Sequence, residues 1–224
     1  MGHQRADLEW RDGDVPVSTR FQDPYFSLEN GLDETRHVFL VGNDLPARFC
    51  EGFHIAELGF GTGLNMLAAL IAWRASGTSG PLRFTSFEAY PMTADEVARA
   101  LRAFPKALAI AEPFLAAWGD GQTEIVTEDL YATVVIGDAG SELSNWDAQA
   151  DAWFLDGFSP NRNPDMWHSD LLGQVGKHTK PGGTAATYTA AGFVRRGLQD
   201  AGFEVTRTEG YGRKRHMTRA RKPA

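Results

Sequence analysis

Cysteine is nearly missing from this 224-residue chain: Cys50 is the single one, so no internal disulfide can form. Nothing calls for an oxidising compartment, and the cytoplasm is the expected location. Cys50 lies between Phe49 and Glu51 with no base placed beside it, and it reads as packing. Long apolar runs are missing too. The run from Met66 to Trp73 is far short of the roughly 20 residues a membrane-spanning helix needs. Residues 1–14 are polar and charged, unlike a signal peptide. His37, His54, His168, His178 and His216 show no ligand spacing and there is no Cys pair, so no metal site is expected. A serine nucleophile elbow, internal repeats and low-complexity stretches are absent. What remains, 42% hydrophobic and 23% charged residues, suits one large domain with a sizeable core rather than a disordered chain.

A net charge of −7 argues against a generic nucleic-acid coat protein. The charge is uneven, however. Residues 203–222 carry Arg207, Arg213, Lys214, Arg215, Arg219, Arg221 and Lys222 against Glu204 and Glu209. Either a solvated tail or a local anion-binding patch accounts for this.

Along the chain, Glu9 to Thr19 reads as a hairpin turning at Asp12-Gly13, and Asp33 to Leu40 as a helix. An alternating pattern follows. Strands are expected at 53–58, 82–87, 133–136, 151–155 and 183–188. Helices are expected at 64–73, from Thr93 with Glu96 at capping-box spacing, at 165–179, and at 190–201 with Phe193, Val194, Leu198 and Ala201 inward. Residues 203–208 and 213–218 flank a hairpin signal at Glu209-Gly-Tyr-Gly212. Strands alternating with helices predict an α/β fold, a mostly parallel, Rossmann-like sheet covered on both faces, with the closing hairpin adding an antiparallel strand at one edge.

Chemistry concentrates at the expected carboxyl ends of strands, where open α/β sheets bind ligands. Glu57-Leu-Gly59-Phe-Gly61-Thr-Gly63 stands between a strand and a helix. A dinucleotide fingerprint needs a third glycine at the position of Leu64, so the spacing instead resembles motif I of S-adenosylmethionine-dependent methyltransferases. Glu88 ends the second strand, where a carboxylate accepts both ribose hydroxyls of a nucleoside. Asp138 ends the third, within reach of an adenine amino group, and Asp156 ends the fourth. Taken singly, each acid suits a helix cap or a solvated loop. Together with the glycine loop they favour a nucleoside cofactor. The segment from Asp151 to Trp167 is the most distinctive in the chain. Asn163, Pro164 and Asp165 suit a helix start, whereas Asp156 to Pro160 occupy the place where amino-methyltransferases keep an acid or amide followed by proline and an aromatic.

These blocks, with Pro16-Val-Ser18, Asp23-Pro-Tyr-Phe26, Glu29 to Phe39, Pro181-Gly-Gly183, Ala190 to Arg196 and Gly212-Arg-Lys-Arg215, resemble the methyltransferase module of the bacterial bifunctional, MnmC-like tRNA-modifying enzymes. Ser159 and Asn161-Arg162 depart mildly from that pattern. The resemblance runs almost end to end. It implies methyl transfer from S-adenosylmethionine to 5-aminomethyl-2-thiouridine at the tRNA wobble position, with the anticodon region as partner. It divides the chain into an N-terminal, β-rich extension (1–45) packed on a methyltransferase domain (46–224). Asp156 becomes the expected catalytic group. Asn30, Glu57, Gly59, Gly61, Gly63, Glu88 and Asp138 are expected at the cofactor, and Phe158, Pro160, Arg195, Arg213, Lys214 and Arg215 at the substrate. In the bifunctional enzymes an FAD-dependent oxidoreductase domain follows; none follows Ala224, so it is expected as a fused or separate partner. Another methyltransferase activity, an NAD-dependent oxidoreductase and a non-catalytic RNA-binding module are the competing readings.

Overall fold

The computed structural model describes residues 4–11, 14–27 and 30–224. Asp12 and Gly13, read above as a turn, and Glu29 lie outside them. Strands β1 (Leu8–Arg11), β2 (Val15–Ser18) and β3 (Asp23–Pro24) pair antiparallel into a small sheet. Helix α1 (Gly31–Thr35) then runs into a π-helical turn (Arg36–Leu40) and a 3-10 turn (Val41–Asn43). Next come β4 (His54–Leu58), α2 (Leu64–Ser76), β5 (Leu82–Glu88), α3 (Ala94–Leu101), α4 (Pro105–Leu108), α5 (Glu112–Gly119), β6 (Glu124–Val126) and β7 (Leu130–Ile136). The chain ends with α6 (Ala139–Ser144), β8 (Ala150–Leu155), α7 (Ser169–Lys177), β9 (Thr179–Thr187), α8 (Gly192–Asp200), β10 (Glu204–Glu209) and β11 (His216–Arg221).

The main sheet has the order β10-β11-β9-β8-β4-β5-β7-β6. Its interior pairs, β4 with β5 and β8, β5 with β7 and β8 with β9, are parallel, whereas β11 on β9, β10 on β11 and β6 on β7 are antiparallel. Alternation along the strands splits the apolar core in two. Ile55, Phe84 and Phe154 face α2, α3 and α5, packing with Met66, Leu70, Trp73, Val97 and Phe114. Ala56, Leu58, Phe87 and Trp153 face α6, α7 and α8, packing with Leu143, Leu172, Val175 and Leu198. The first cluster also takes in Val38, Phe39 and Leu40. There Asn43, wholly buried, donates from Nδ2 to the carbonyls of Phe39 and Trp153, and its Oδ1 accepts the Thr184 hydroxyl.

The α/β sheet, the N-terminal hairpin and the Thr93–Glu96 capping box are as the sequence leads one to expect. Four details differ. The expected helix over 165–179 is interrupted: a 3-10 turn (Pro164–Trp167) comes first, His168 is extended, and α7 starts after it with His168 Nδ1 accepting the Asp170 N–H. Phe193 is 44% exposed, so α8 packs through Val194 and Leu198 instead. Cys50 is exposed rather than packed. Finally, residues 213–215 are not in a strand, because Gly212 takes φ +57° and the Lys214 N–H returns to the Tyr211 carbonyl, closing a turn. Among the described residues no helix is long and apolar enough to cross a membrane.

Candidate active site

A cavity of about 880 Å³ opens over the carboxyl ends of β4, β5 and β8. Its floor is set by the glycine loop between β4 and α2. A side chain at Gly59 is impossible: a Cβ there would lie 2.2 Å from the Asp156 carbonyl oxygen, and φ is +89°. This close approach seats the loop directly beside the end of β8. Two residues on, the Gly61 N–H donates to Glu88 Oε2 at 2.9 Å, and the Tyr90 N–H donates to Oε1 at 2.7 Å. Glu88 is thereby pinned on the cavity wall. Burial pushes its pKa up while the backbone amides oppose the shift.

Asp156 stands at the end of β8 with Oδ2 accepting the Asn65 amide N–H at 2.7 Å. Burial raises its pKa to about 6, with Asn65 and the Lys214 charge pulling the other way. Tyr188 donates from its hydroxyl to the Gly157 carbonyl at 2.8 Å, and the Lys214 ammonium lies 3.8 Å from the Tyr188 ring centroid. Lys214 also pairs with Glu34 of α1 at 2.8 Å, so the loop before β11 is tied to the N-terminal segment across the cavity rim.

The wall beside Asp156 is aromatic and comes from two distant stretches of chain. Phe21 stacks on Phe158 at 4.8 Å, and Tyr25 meets Phe158 edge-on at 4.9 Å. Asp23 Oδ2 accepts the Ser159 N–H, and Arg162 donates to Gln22 Oε1, each at 2.9 Å. The segment from Arg20 to Phe26 thus clasps the loop after β8.

Of the residues singled out by sequence, Gly59, Gly61, Glu88, Asp138, Asp156, Phe158, Arg213 and Lys214 line this cavity. Six do not. Glu57 is wholly buried beneath the loop, with Oε1 accepting from Asn65 at 2.8 Å and Oε2 from the Ser86 hydroxyl at 2.6 Å. Gly63 lies under Phe60 and Phe114, whose rings leave a Cβ only 3.0 Å. Asn30 is exposed at the start of α1. Pro160 sits half-buried in the turn after Ser159, and Arg195 half-buried on α8. Arg215 borders a separate shallow depression with Arg207, Glu209 and His216. Asp138 does line the cavity, but its Oδ1 also caps α6 by accepting from Ser141. Sequence reasoning missed the wall at 20–26, the Glu34–Lys214 tie and the linking role of Asn65. The signals for them were the blocks Asp23-Pro-Tyr-Phe26, Glu29 to Phe39 and Gly212 to Arg215, the aromatic Phe21 and the asparagine two residues past the third glycine, none of which showed that these stretches meet.

Residues 105–223 match the family described as S-adenosyl-L-methionine-dependent methyltransferase. The chain belongs to that family. It is similar to the tRNA 5-methylaminomethyl-2-thiouridine biosynthesis bifunctional protein MnmC of Caulobacter vibrioides, 45% identical with 96% of this chain and 38% of that protein covered. The protein of the same name from Hahella chejuensis is 42% identical, with 95% and 36% covered. The chain therefore spans less than two fifths of these relatives' length. Among solved structures it resembles MNMC2 from Aquifex aeolicus, with a TM-score of 0.75 and 27% identity over 100% of this chain and 72% of that one.

The methyltransferase's cavity suits a cofactor with a nucleoside part. Glu88 is a buried carboxylate whose charge is held by two backbone amides and whose remaining lone pairs can accept from a diol. The loop between Gly59 and Gly63 brings backbone close to the same space.

Proposed function

We propose that this chain methylates the primary amine of 5-aminomethyl-2-thiouridine at the wobble position of tRNA. The observation that carries the reading is the meeting of Glu88 and Asp156 in one cavity, beneath a rim bearing Arg213 and Lys214. The likeness to proteins named for 5-methylaminomethyl-2-thiouridine biosynthesis supports the same substrate. When bound, S-adenosylmethionine supplies an electrophilic methyl group on a sulfonium. Glu88 would accept its ribose hydroxyls, the backbone around Gly59 and Gly61 would carry its methionine part, and Asp138 would meet its adenine.

The chain's own task is the nucleophile. An alkylamine with a pKa near 10.4 is about one part in 10³ free base at pH 7, and reaching that form costs about 4–5 kcal/mol. An ionised Asp156 would stabilise the ammonium, so its role is orientation, with Phe158 and Tyr188 excluding water around the amine. Exclusion of water by these rings disfavours the charged ammonium and so favours loss of the substrate's proton. Residues 1–45 act as an extension on the catalytic domain of 46–224. An FAD-dependent oxidoreductase, fused or separate, would deliver the aminomethyl substrate, in keeping with the relatives' description as bifunctional.

The test is incubation with labelled S-adenosylmethionine and tRNA lacking the terminal methylation, followed by mass spectrometry of the digested nucleosides. Label on the aminomethyl nitrogen of the wobble uridine is the expected result. Label on any other nucleoside, or none with tRNA and some with a free small-molecule amine, would overturn the reading.

A further inference from the structure

Asn65 occupies the first turn of α2, two residues past the glycine loop, and is 5% exposed. Both N–H groups and the oxygen of its amide are engaged. Nδ2 donates to Asp156 Oδ2 at 2.7 Å and to Glu57 Oε1 at 2.8 Å, while Oδ1 accepts the Thr35 hydroxyl at 2.9 Å. Turning the amide over would set its oxygen against two carboxylates and its N–H groups against a hydroxyl donor. The surroundings therefore admit one orientation.

The partners anchor the amide from three directions. Glu57 is fixed across the sheet by the Ser86 hydroxyl of β5 at 2.6 Å, and Thr35 holds the amide from α1. Asp156 Oδ1, by contrast, has no hydrogen-bond partner among the described residues, and Asp156 lines the cavity. We infer that Asn65 is a positioning residue for methyl transfer: a fork that clamps one oxygen of Asp156 and leaves the other aimed at the substrate amine.

The inference rests on the proposed role of Asp156 and deepens it. Satisfying Glu57 alone would need only one of the two N–H groups. The second is committed to a strand-end carboxylate that would otherwise rotate freely about its terminal torsion. Placement of a reacting amine is sensitive to such freedom, since displacement of about 1 Å costs on the order of 100-fold in rate. The charged or titratable groups facing Asp156 are Glu57 from β4, Glu34 from α1, Lys214 from the loop before β11 and Tyr188 after β9. Asn65 is the neighbour that hydrogen-bonds it. Its donation favours the ionised form, so losing it moves the Asp156 titration to higher pH.

The experiment compares Asn65→Ala, Ser86→Ala and Asp156→Asn in single-turnover methyl transfer to tRNA, across pH, with S-adenosylmethionine affinity read by calorimetry. Asn65→Ala should lower the rate by about 30–100-fold and shift the acid limb of the pH profile upward, with cofactor affinity within about 3-fold of wild type. Ser86→Ala loosens Glu57, one of the amide's three anchors, without touching Asp156, and should lower the rate and shift the acid limb by less than Asn65→Ala does. A rate loss in Asn65→Ala that merely follows the unfolded fraction, with the acid limb unmoved, would overturn the inference. If that variant does not fold, Thr35→Val removes the anchor on the amide oxygen, loosens the fork without turning it over, and should lower the rate by about 3–10-fold in the same pH-dependent manner; a wild-type profile would overturn the inference equally. Asp156→Asn at the wild-type rate would instead bring down the parent reading, leaving the fork with nothing to position.

Discussion

On the floor of the cavity stand Glu88 and Asp156, near the ends of β5 and β8, with Glu57 of β4 buried beneath them, each acid held by bonds of 2.6–2.9 Å to backbone amides, Asn65 or Ser86. At the rim, Arg213 and Lys214 stand exposed on a loop that meets the N-terminal segment through Glu34. The floor acids are desolvated and their pKa values are raised. The rim cations lie in water, where salt screens them. Substitutions on the floor should therefore alter chemistry and cofactor affinity and respond to pH. Substitutions on the rim should alter association with a polyanion and respond to salt.

The largest effect is expected at Asp156. Asp156→Asn should lower single-turnover methyl transfer by roughly 100-fold or more while both affinities stay within a few-fold, because alignment is lost and binding surface is not. The same variant carries a stability signature of opposite sign. Burial raises the Asp156 pKa from 3.8 to about 6, so the folded protein holds this proton more tightly than the unfolded chain does. Ionisation then costs stability as the pH rises from about 4 to about 6, and the cost is complete above that window. Asp156→Asn should accordingly melt at a higher temperature than wild type at pH 8, with the advantage gone by about pH 4. A variant that is slower yet no more stable at pH 8 would mean that the carboxylate is not desolvated in solution.

Next in size is Glu88. Replacing it by alanine removes the acceptor proposed for the ribose hydroxyls and leaves the Gly61 and Tyr90 amides without their partner. Loss of a charged hydrogen-bond partner is worth about 1.5–3 kcal/mol, or about 10–150-fold in S-adenosylmethionine affinity. Calorimetry on the folded variant reads this directly. Unchanged affinity would move the nucleoside end of the cofactor away from β5.

The same contrast governs what was legible in the sequence. Floor residues lie at the ends of strands with strong apolar patterns, so Gly59, Gly61, Glu88 and Asp156 fell where periodicity put the carboxyl end of a parallel sheet. The rim depends on pairings more than a hundred residues apart, such as Glu34 with Lys214 and Asp23 with Ser159, which local pattern cannot carry. Glu57 shows the limit from the other side. Its place two before the first glycine marks the loop correctly, yet the β-alternation that brings its neighbour Leu58 against Trp153 says nothing of whether Glu57 faces a ligand or a buried serine. Gly212 has a similar lesson: one left-handed residue converted an expected run of strand into a turn and separated three consecutive cations.

That separation sharpens the last and smallest prediction. Were residues 213–215 a strand, Arg213 and Arg215 would share a face and act together. In the turn they part: Arg213 borders the main cavity, whereas Arg215 borders the depression with Arg207, Glu209 and His216. Each can be tested alone. Arg213→Glu should weaken tRNA binding and flatten its dependence on salt by roughly 0.7–0.9 of a log unit per log of salt for each phosphate no longer neutralised. S-adenosylmethionine affinity should be nearly unchanged, since the groups proposed to hold the cofactor lie on the floor. Arg215→Glu should match it only if the RNA path continues past the cavity mouth toward Arg207. Titrating tRNA against wild type and both variants at several salt concentrations gives the slopes. A flattened slope for Arg213 alone confines the footprint to the mouth, and flattened slopes for both extend it over the last hairpin. Unchanged slopes for both would remove Arg213 and Arg215 from tRNA binding, leaving the loop with the structural tie that Lys214 makes to Glu34.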